Sequence, residues 1–546
     1  MKMRLLDTSS MTSIERQDDN MYAGEREPKY CILSYTWGRF QLLNPTVKQS
    51  CLQVHSIPWS IPAIQDVHFT AEDFYRVVKR ISKSHRFAWI DIACIDQDNY
   101  AIKMDEVGRQ AGIFANAEMA YIWLCRTPKA GLQKAVNIII QYGILIAEAP
   151  MEDWRDWPET VVLARDAVTT ILDDPWFSSL WTIQEGHLRT DAILLAREGI
   201  SIDNIRLPIK KWTHVPNDTV TIGELRERLW LFYEILTQSR GHNLWRGVEE
   251  LPANEILIEG RIHKAGYNCR PSANPNIQFA SVNTREVSDE FDRIYAIMAV
   301  YNIRVGAAVP GAASSRDDYT LRGLGEEFAL ALNAKSVLVG QLFIHTTQPR
   351  QGKTWQITPE CRVPDGFDMI GGGCQYYTHK NCKVTLTATK KEVTIVGSMC
   401  PLREICALWA SGDMKDPWHS AGKLTFAQLC VDDYLADANS TVIPRFKPRE
   451  EGRETAANVD AIVTGLVTVY GEENISVLRI GSMDHRNDHP YGYDYGTAFV
   501  YGLILLHDKE ARAKCQRIGI VRWGGYGAWE ESVHEPAWLD FEGIFL

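Results

Sequence analysis

The sequence predicts an α/β domain at its start, a helical stretch after it and a β-rich α+β end. Three observations predict this. Strand-like and helix-like segments alternate between residues 30 and 148, the pattern of an open α/β sheet. The strand-like runs there are apolar throughout, as parallel strands buried on both faces are. Beyond residue 340 the texture shifts to period-two alternation. The chain has 546 residues and is 45% hydrophobic, enough for several cores. We place an α/β domain at 1–200, a helical region packing on it at 201–340, and a β-rich domain at 341–546.

The elements follow in order. KYCILSYTWG (29–38) reads as a short strand ending in a Gly turn, and a polar, Pro-containing loop runs on to about residue 68. FTAEDFYRVVKRISKSHR (69–86) reads as a helix: Thr70 and Asp73 form a capping box, and Phe74, Val77, Val78 and Ile81 make one apolar stripe. The run 87–95 reads as one continuous strand with an acid, Asp91, inside it. A helix at 103–116, a strand at 119–125 and a helix at 131–148 complete the alternation. Helical spacing recurs at 158–173, 221–240, 290–301 and 319–335, and DDPWFSSLWTIQEG (173–186) opens with a turn and re-enters a helix. CKVTLTATKKEVTIVGSMC (382–400) reads as a hairpin, with further strands at 497–507 and 517–523. The charged segment 444–460 reads as a surface loop or a mobile segment.

Composition excludes several classes. A net charge of −11 without a long Lys/Arg run gives no general attraction to nucleic acid or an anionic membrane. No stretch is long and apolar enough to span a bilayer, and the first residues carry no apolar leader segment. Twelve scattered cysteines, many in apolar runs (Cys31, Cys94, Cys125, Cys406, Cys430), read as reduced thiols of a cytoplasmic protein. The oligomeric state stays open, a homo-oligomer included.

The chemistry-bearing candidates are few. No phosphate-cradling GxxxxGK[ST], GxSxG or HExxH string is present, so no cofactor is expected. Cys374, His379 and Cys382 are spaced like metal ligands but lack a fourth, so they read as a hairpin end and no metal is expected. WRDW (154–157) and WGGYGAW (523–529) read as packed loops. The acids are more informative. Asp91 reads as a structural acid satisfied by backbone N–H groups or an Arg, or as a functional one. Asp96 and Gln97, at the end of the same run, either cap a turn or contact ligand. Glu185 is a general acid/base if desolvated, or an i+4 partner of Arg189.

Four segments together resemble the fungal heterokaryon-incompatibility (HET) domain: YCILSYTWG (30–38), FAWIDIACIDQ (87–97), EVGRQAGIFANAEMAYIWL (106–124) and PWFSSLWTIQE (175–185). EFDRIYAIMAVY (290–301) resembles the segment that commonly follows. The resemblance implies a TIR-like, flavodoxin-like parallel sheet. It carries the motif positions onto Ser34, Thr36, Trp37, Gly38, Trp89 and Asp91, and onto Cys94, Asp96, Gln97, Trp181, Gln184 and Glu185. The chain also departs from the pattern: Ser179 stands where the family usually has Arg, and Glu106 and Gln110 where it commonly has Gln and Met.

The resemblance implies two competing functions, beside the plain reading of a scaffold with no chemistry. One is a stand-alone, cofactor-independent cyclase of Diels–Alder type in fungal secondary metabolism, acting on a small apolar terpenoid or polyketide substrate. There Asp96, Gln97, Gln184 and Glu185 would be catalytic, and Trp37, Thr36, Trp181 and Asp91 would shape an aromatic-rich pocket. The high tryptophan count, 17, suits such a pocket. The other is an incompatibility or cell-death effector that cleaves NAD, with Glu185, Asp91 or Asp96 supplying the carboxylate. The sequence tilts toward the cyclase.

Overall fold

The structure, a computed structural model, describes residues 3–42, 52–148, 157–205, 218–241, 251–268, 274–312, 315–364, 367, 375–387, 392–410, 424–445, 455–485, 497–526 and 538–546. The chain divides into two compact units. One comprises Met1–Pro271 and Ser281–Leu324, the other Ser272–Ala280 and Gly325–Leu546.

The first unit holds a six-stranded mixed sheet. Its strands are β1 (Arg4–Asp7), β2 (Thr12–Glu15), β5 (Tyr30–Ser34), β6 (Phe87–Trp89), β7 (Met119–Trp123) and β8 (Ile193–Leu195), in the order β2-β1-β6-β5-β7-β8. A separate ribbon pairs β3 (Met21–Tyr22) with β4 (Glu25–Arg26). The four strands β6, β5, β7 and β8 are mutually parallel, and β1 joins β6 antiparallel. Every residue of β5 is buried, the expected consequence of covering a parallel sheet on both faces. Because β6 and β7 flank β5, the chain steps first to one side of β5 and then to the other. In open sheets that reversal opens a crevice at the carboxyl ends of the strands.

The helices of this unit are α1 (Ala71–Ile81), α2 (Asp91–Cys94), α3 (Tyr100–Asn116), α4 (Lys129–Glu148), α5 (Trp157–Leu172), α6 (Thr182–Leu188), α7 (Ile222–Gly241) and α8 (Leu251–Lys264). After α9 (Pro275–Ala280), which belongs to the other unit, comes α10 (Asp292–Met298). The Thr70/Asp73 capping box forms in full, and Phe74, Val77, Val78 and Ile81 are buried as their spacing predicts. The run 87–95 is not one strand. It leaves the sheet after Trp89, and Asp91 opens a helical turn whose Ile92 N–H its own side chain accepts at 2.7 Å. A short apolar run fits a strand or a buried helix equally well, so periodicity could not locate this break. The strands β1, β2 and β8, three or four residues each, also escaped the pattern.

The second unit is β-rich. Its strands are β9 (Gln375–Thr378), β10 (Lys383–Leu386), β11 (Val393–Pro401), β12 (Leu424–Val431), β13 (Ile475–His485), β14 (Thr497–His507), β15 (Lys514–Tyr526) and β16 (Leu539–Phe545). The expected 382–400 hairpin is present, with Lys383 opposite Val396. Pairings β11–β16, β16–β15, β15–β14, β14–β13 and β13–β11 close a ring of five strands, and β10, β12 and β9 each add to it along one side, on β11, β15 and β13. Helices α11 (Leu321–Lys335, from Gly325 on), α12 (Val337–Gln341), α13 (Leu402–Ala410), α14 (Asp433–Ala438) and α15 (Thr455–Tyr470) accompany the sheet. Leu402 and Ile405 of α13 and Ile462 and Leu466 of α15 share a core with Val477, Ile504 and Val521. His379 and Cys382 lie not at a hairpin end but in the link between β9 and β10, which pair with different strands.

Cys374, residues 154–156, residues 527–529 and most of the charged segment 444–460 lie outside the described residues, although 455–460 already belong to α15. The nine described cysteines are free thiols, eight of them buried. Among the described residues no helix is long and apolar enough to cross a membrane.

Candidate functional site

Four side chains meet where β5 and β6 end. Ser34 is the last residue of β5, and its neighbours Cys31 to Leu33 fill the core, so its hydroxyl is a polar group placed by an apolar strand. It accepts the Trp176 indole N–H at 2.7 Å and donates to the Glu185 carboxylate. Glu185 lies on α6, which packs close to Trp176 because Gly186 has no side chain: a Cβ there would come within 3.0 Å of that ring. Three residues beyond Ser34, Trp37 donates its indole N–H to Asp91 at 2.5 Å. Asp91 also accepts the Ile92 N–H, and the Tyr35 hydroxyl stands beside it.

The two carboxyls differ in environment. Burial pushes Glu185 up to about 8; the Ser34 hydrogen bond opposes this, and the nearby negative charge of Asp91 adds to it. No cation is among the groups acting on Glu185. Burial pushes Asp91 up only to about 6, because the Trp37 indole, the Ile92 N–H, the Tyr35 hydroxyl and the positive charge of Lys103 all favour its ionised form. Near neutral pH Glu185 holds its proton and Asp91 does not. Two acids set apart in this way are the usual arrangement for one acid and one carboxylate in a single site.

The other expected site residues have different surroundings. Thr36 contacts His68, whose ring stacks on Phe40 at 3.8 Å and is pushed down to about 4 by burial. That histidine is therefore neutral near pH 7. Asp96 accepts the N–H groups of Asp98 and Asn99 at 3.0 and 3.1 Å, the turn-capping alternative of the sequence reading. Gln97 donates to the carbonyls of Asp91 and Ile95. Gln184 is buried and donates to Gln110 at 2.5 Å, so one residue where the chain departs from the family pattern is the partner of a motif residue. Trp181 donates to Asp292 of α10 at 3.1 Å, and burial pushes that acid up to about 6. The structure thus brings Glu185, Asp91 and Trp37 together with Ser34. The described contacts join neither Asp96 nor Gln184 to that group.

Of the two alternatives for Glu185, the Arg189 pair does not form and the desolvated acid remains. Helix α6 ends at Leu188, and Arg189 turns away to grip Asp191 with Nε and Nη2 and to donate from Nη1 to the carbonyls of Phe114 and Ala117. An arginine from elsewhere in the chain lies against the Ser179 backbone. The buried Arg285 guanidinium donates to the carbonyls of Ser179, Trp176 and Ala265 and to the Thr182 hydroxyl. Sequence reasoning overlooked Asp292, Lys103, Trp176 and Arg285. Asp292 had a signal, being an acid within the apolar run EFDRIYAIMAVY; the other three had none beyond their segments.

These features define an α/β domain with an unequal acid pair at the carboxyl ends of its parallel strands. Residues 30–185, from the first residue of β5 to Glu185 itself, match the family model described as heterokaryon incompatibility protein (HET). That stretch of the first unit is therefore similar to the HET domain. No curated protein and no solved structure matches the chain.

Proposed function

We propose that this HET-like domain hydrolyses the N-glycosidic bond of a nicotinamide dinucleotide such as NAD. The observation that carries the reading is the Glu185/Asp91 pair, one carboxyl protonated and one ionised near pH 7. The leaving nicotinamide needs no proton: the C1′–N bond breaks, its electron pair neutralises the pyridinium nitrogen, and a cationic sugar carbon is left. Asp91 would stabilise that carbon and take a proton from the water that attacks it. Glu185, neutral, would hold a sugar hydroxyl without repelling the dinucleotide's phosphates. The strand order also suits the flavodoxin-like, TIR-like arrangement that the family resemblance implies.

The geometry favours this reading over the cyclase. The donors a cyclase would use to polarise its substrate are engaged within the protein: Trp37 on Asp91, Gln184 on Gln110, Gln97 on backbone carbonyls. The Tyr35 ring, whose hydroxyl stands beside Asp91, packs as core on Phe69 and Trp123 at centroid distances of 5.8 and 5.9 Å.

Nicotinamide release from NAD by the purified protein is the test. The rate should rise as Asp91 ionises near pH 6 and fall as Glu185 loses its proton near pH 8. Asp91→Asn should lower it by about a hundredfold or more. No release by the wild type, or equal release by Asp91→Asn and Glu185→Gln, would overturn the proposal.

A further inference from the structure

A cleft lies away from the acid pair in the same unit. It has a volume of about 330 Å³ and lies beside Tyr30, at the start of β5, whereas the acid pair sits beyond the other end of that strand. Five strand residues at about 3.3 Å each separate the two places by roughly 15 Å. Three arginines from three different parts of the chain line the cleft: Arg16 from the turn after β2, Arg109 from α3, and Arg304 from the turn after α10. No acid is among its lining residues. Arg109 has Asp105 and Glu106 as ion partners on its own helix, and Arg16 donates to the neutral Asn20. For Arg304 no ion pair is found among the described residues.

The floor is bare helix. Gly112 of α3 has nothing within 4 Å of where a Cβ would stand, so that face of the helix is open to the cleft. Gly108, one turn earlier, lets the chain around Ala308 close over the helix, since a Cβ there would lie 2.6 Å from the Ala308 carbonyl oxygen. Met3, Ile113 and Met298 supply apolar surface next to the charged side.

We propose that this cleft binds a small phosphorylated metabolite, of about mononucleotide size, with its phosphate on the arginines and its organic part on the apolar side. Arginine is the side chain best shaped to grip phosphate oxygens in pairs. A pocket of a few hundred Å³ with a charged side and an apolar side holds a phosphate ester better than a free inorganic ion. The proposal is independent of NAD hydrolysis and uses none of the residues of the acid pair.

Calorimetric titration of the full chain with AMP, inorganic pyrophosphate and adenosine tests it. AMP should bind, pyrophosphate should bind more weakly, and adenosine should not bind at millimolar concentration. The Arg16→Ala/Arg304→Ala double variant should lose AMP affinity by tenfold or more. Neither side chain is buried, so its melting temperature should stay near that of the wild type. Gly112→Leu keeps all three charges but fills the floor, and should abolish AMP binding while the protein remains folded. Absence of AMP binding, equal binding of adenosine, or unchanged AMP affinity in both variants would overturn the proposal.

Discussion

Glu185 and Asp91 are both acids at the edge of an apolar sheet, yet they differ because their neighbours differ. Asp91 is surrounded by donors, namely an indole, a backbone N–H and a phenol, with an ammonium acting on it as well. Glu185 has one serine hydroxyl and the adverse charge of Asp91. The sequence displayed both acids but not this inequality, because the donors come from Trp37 and Tyr35, more than fifty residues before Asp91, and from Lys103 on α3. The same lack of distant information made Arg189 look like Glu185's partner, since i+4 spacing pairs two side chains only while the helix lasts. A stability consequence follows. The folded-state value of Glu185 (about 8) is above its ordinary 4.5, so the fold favours the protonated form. The stability this contributes is complete below pH 4.5 and is lost as pH rises through 8. Glu185→Gln removes that dependence. In urea unfolding from pH 5 to 9, its stability relative to the wild type should therefore improve steadily with pH; a constant difference would show that Glu185 titrates as an ordinary surface acid.

Elements were legible where their signals were local. Helix α1 announces itself through Thr70, Asp73 and a stripe of four apolar residues, and all of these do in the structure what their spacing predicts. Thr70→Ala removes one half of the capping box and should cost about 1 kcal/mol, read as a lower midpoint in urea with an unchanged slope. The segment 87–97 shows the opposite case. Its apolar residues are as continuous as a strand's, but Asp91 turns the chain into α2 through its own hydrogen bond to Ile92. That turn is what brings an acid to the crevice instead of burying it within the sheet. Asp96 caps the next turn, on the way into α3, by accepting the N–H groups of Asp98 and Asn99, so the two acids of one motif have separate tasks.

At the scale of the whole molecule, the change of texture after residue 340 located the β-rich part but not its closure. Ring closure depends on pairings such as Ser398 with Arg479 and Thr394 with Ile544, which no local pattern encodes. Nor does sequence order reveal that residues 272–280, which precede part of the first unit, belong to the second. Asn274 and Asn276 fasten that segment. Both are buried, and both donate to the Leu342 carbonyl at 3.1 Å; Asn276 also reaches Val339 at 2.8 Å. Asn276→Ala should take the side-chain donor from the Val339 carbonyl, leave Leu342 with Asn274 alone, and cost about 1–3 kcal/mol. Hydrogen exchange should show the loss of protection in the second unit, around α12, while β5 to β7 of the first unit keep theirs; equal loss in both would argue against the division.

The account rests on two carboxyls at one sheet edge ionising far apart, and a direct reading of their titrations tests it most closely. Carbon-detected NMR of selectively labelled aspartate and glutamate carboxyls, assigned through Asp91→Asn and Glu185→Gln, should give Asp91 a midpoint near 6 and Glu185 one near 8. Midpoints below 5 for both would mean two ordinary carboxylates, and the acid and base roles assigned to them would have no physical basis.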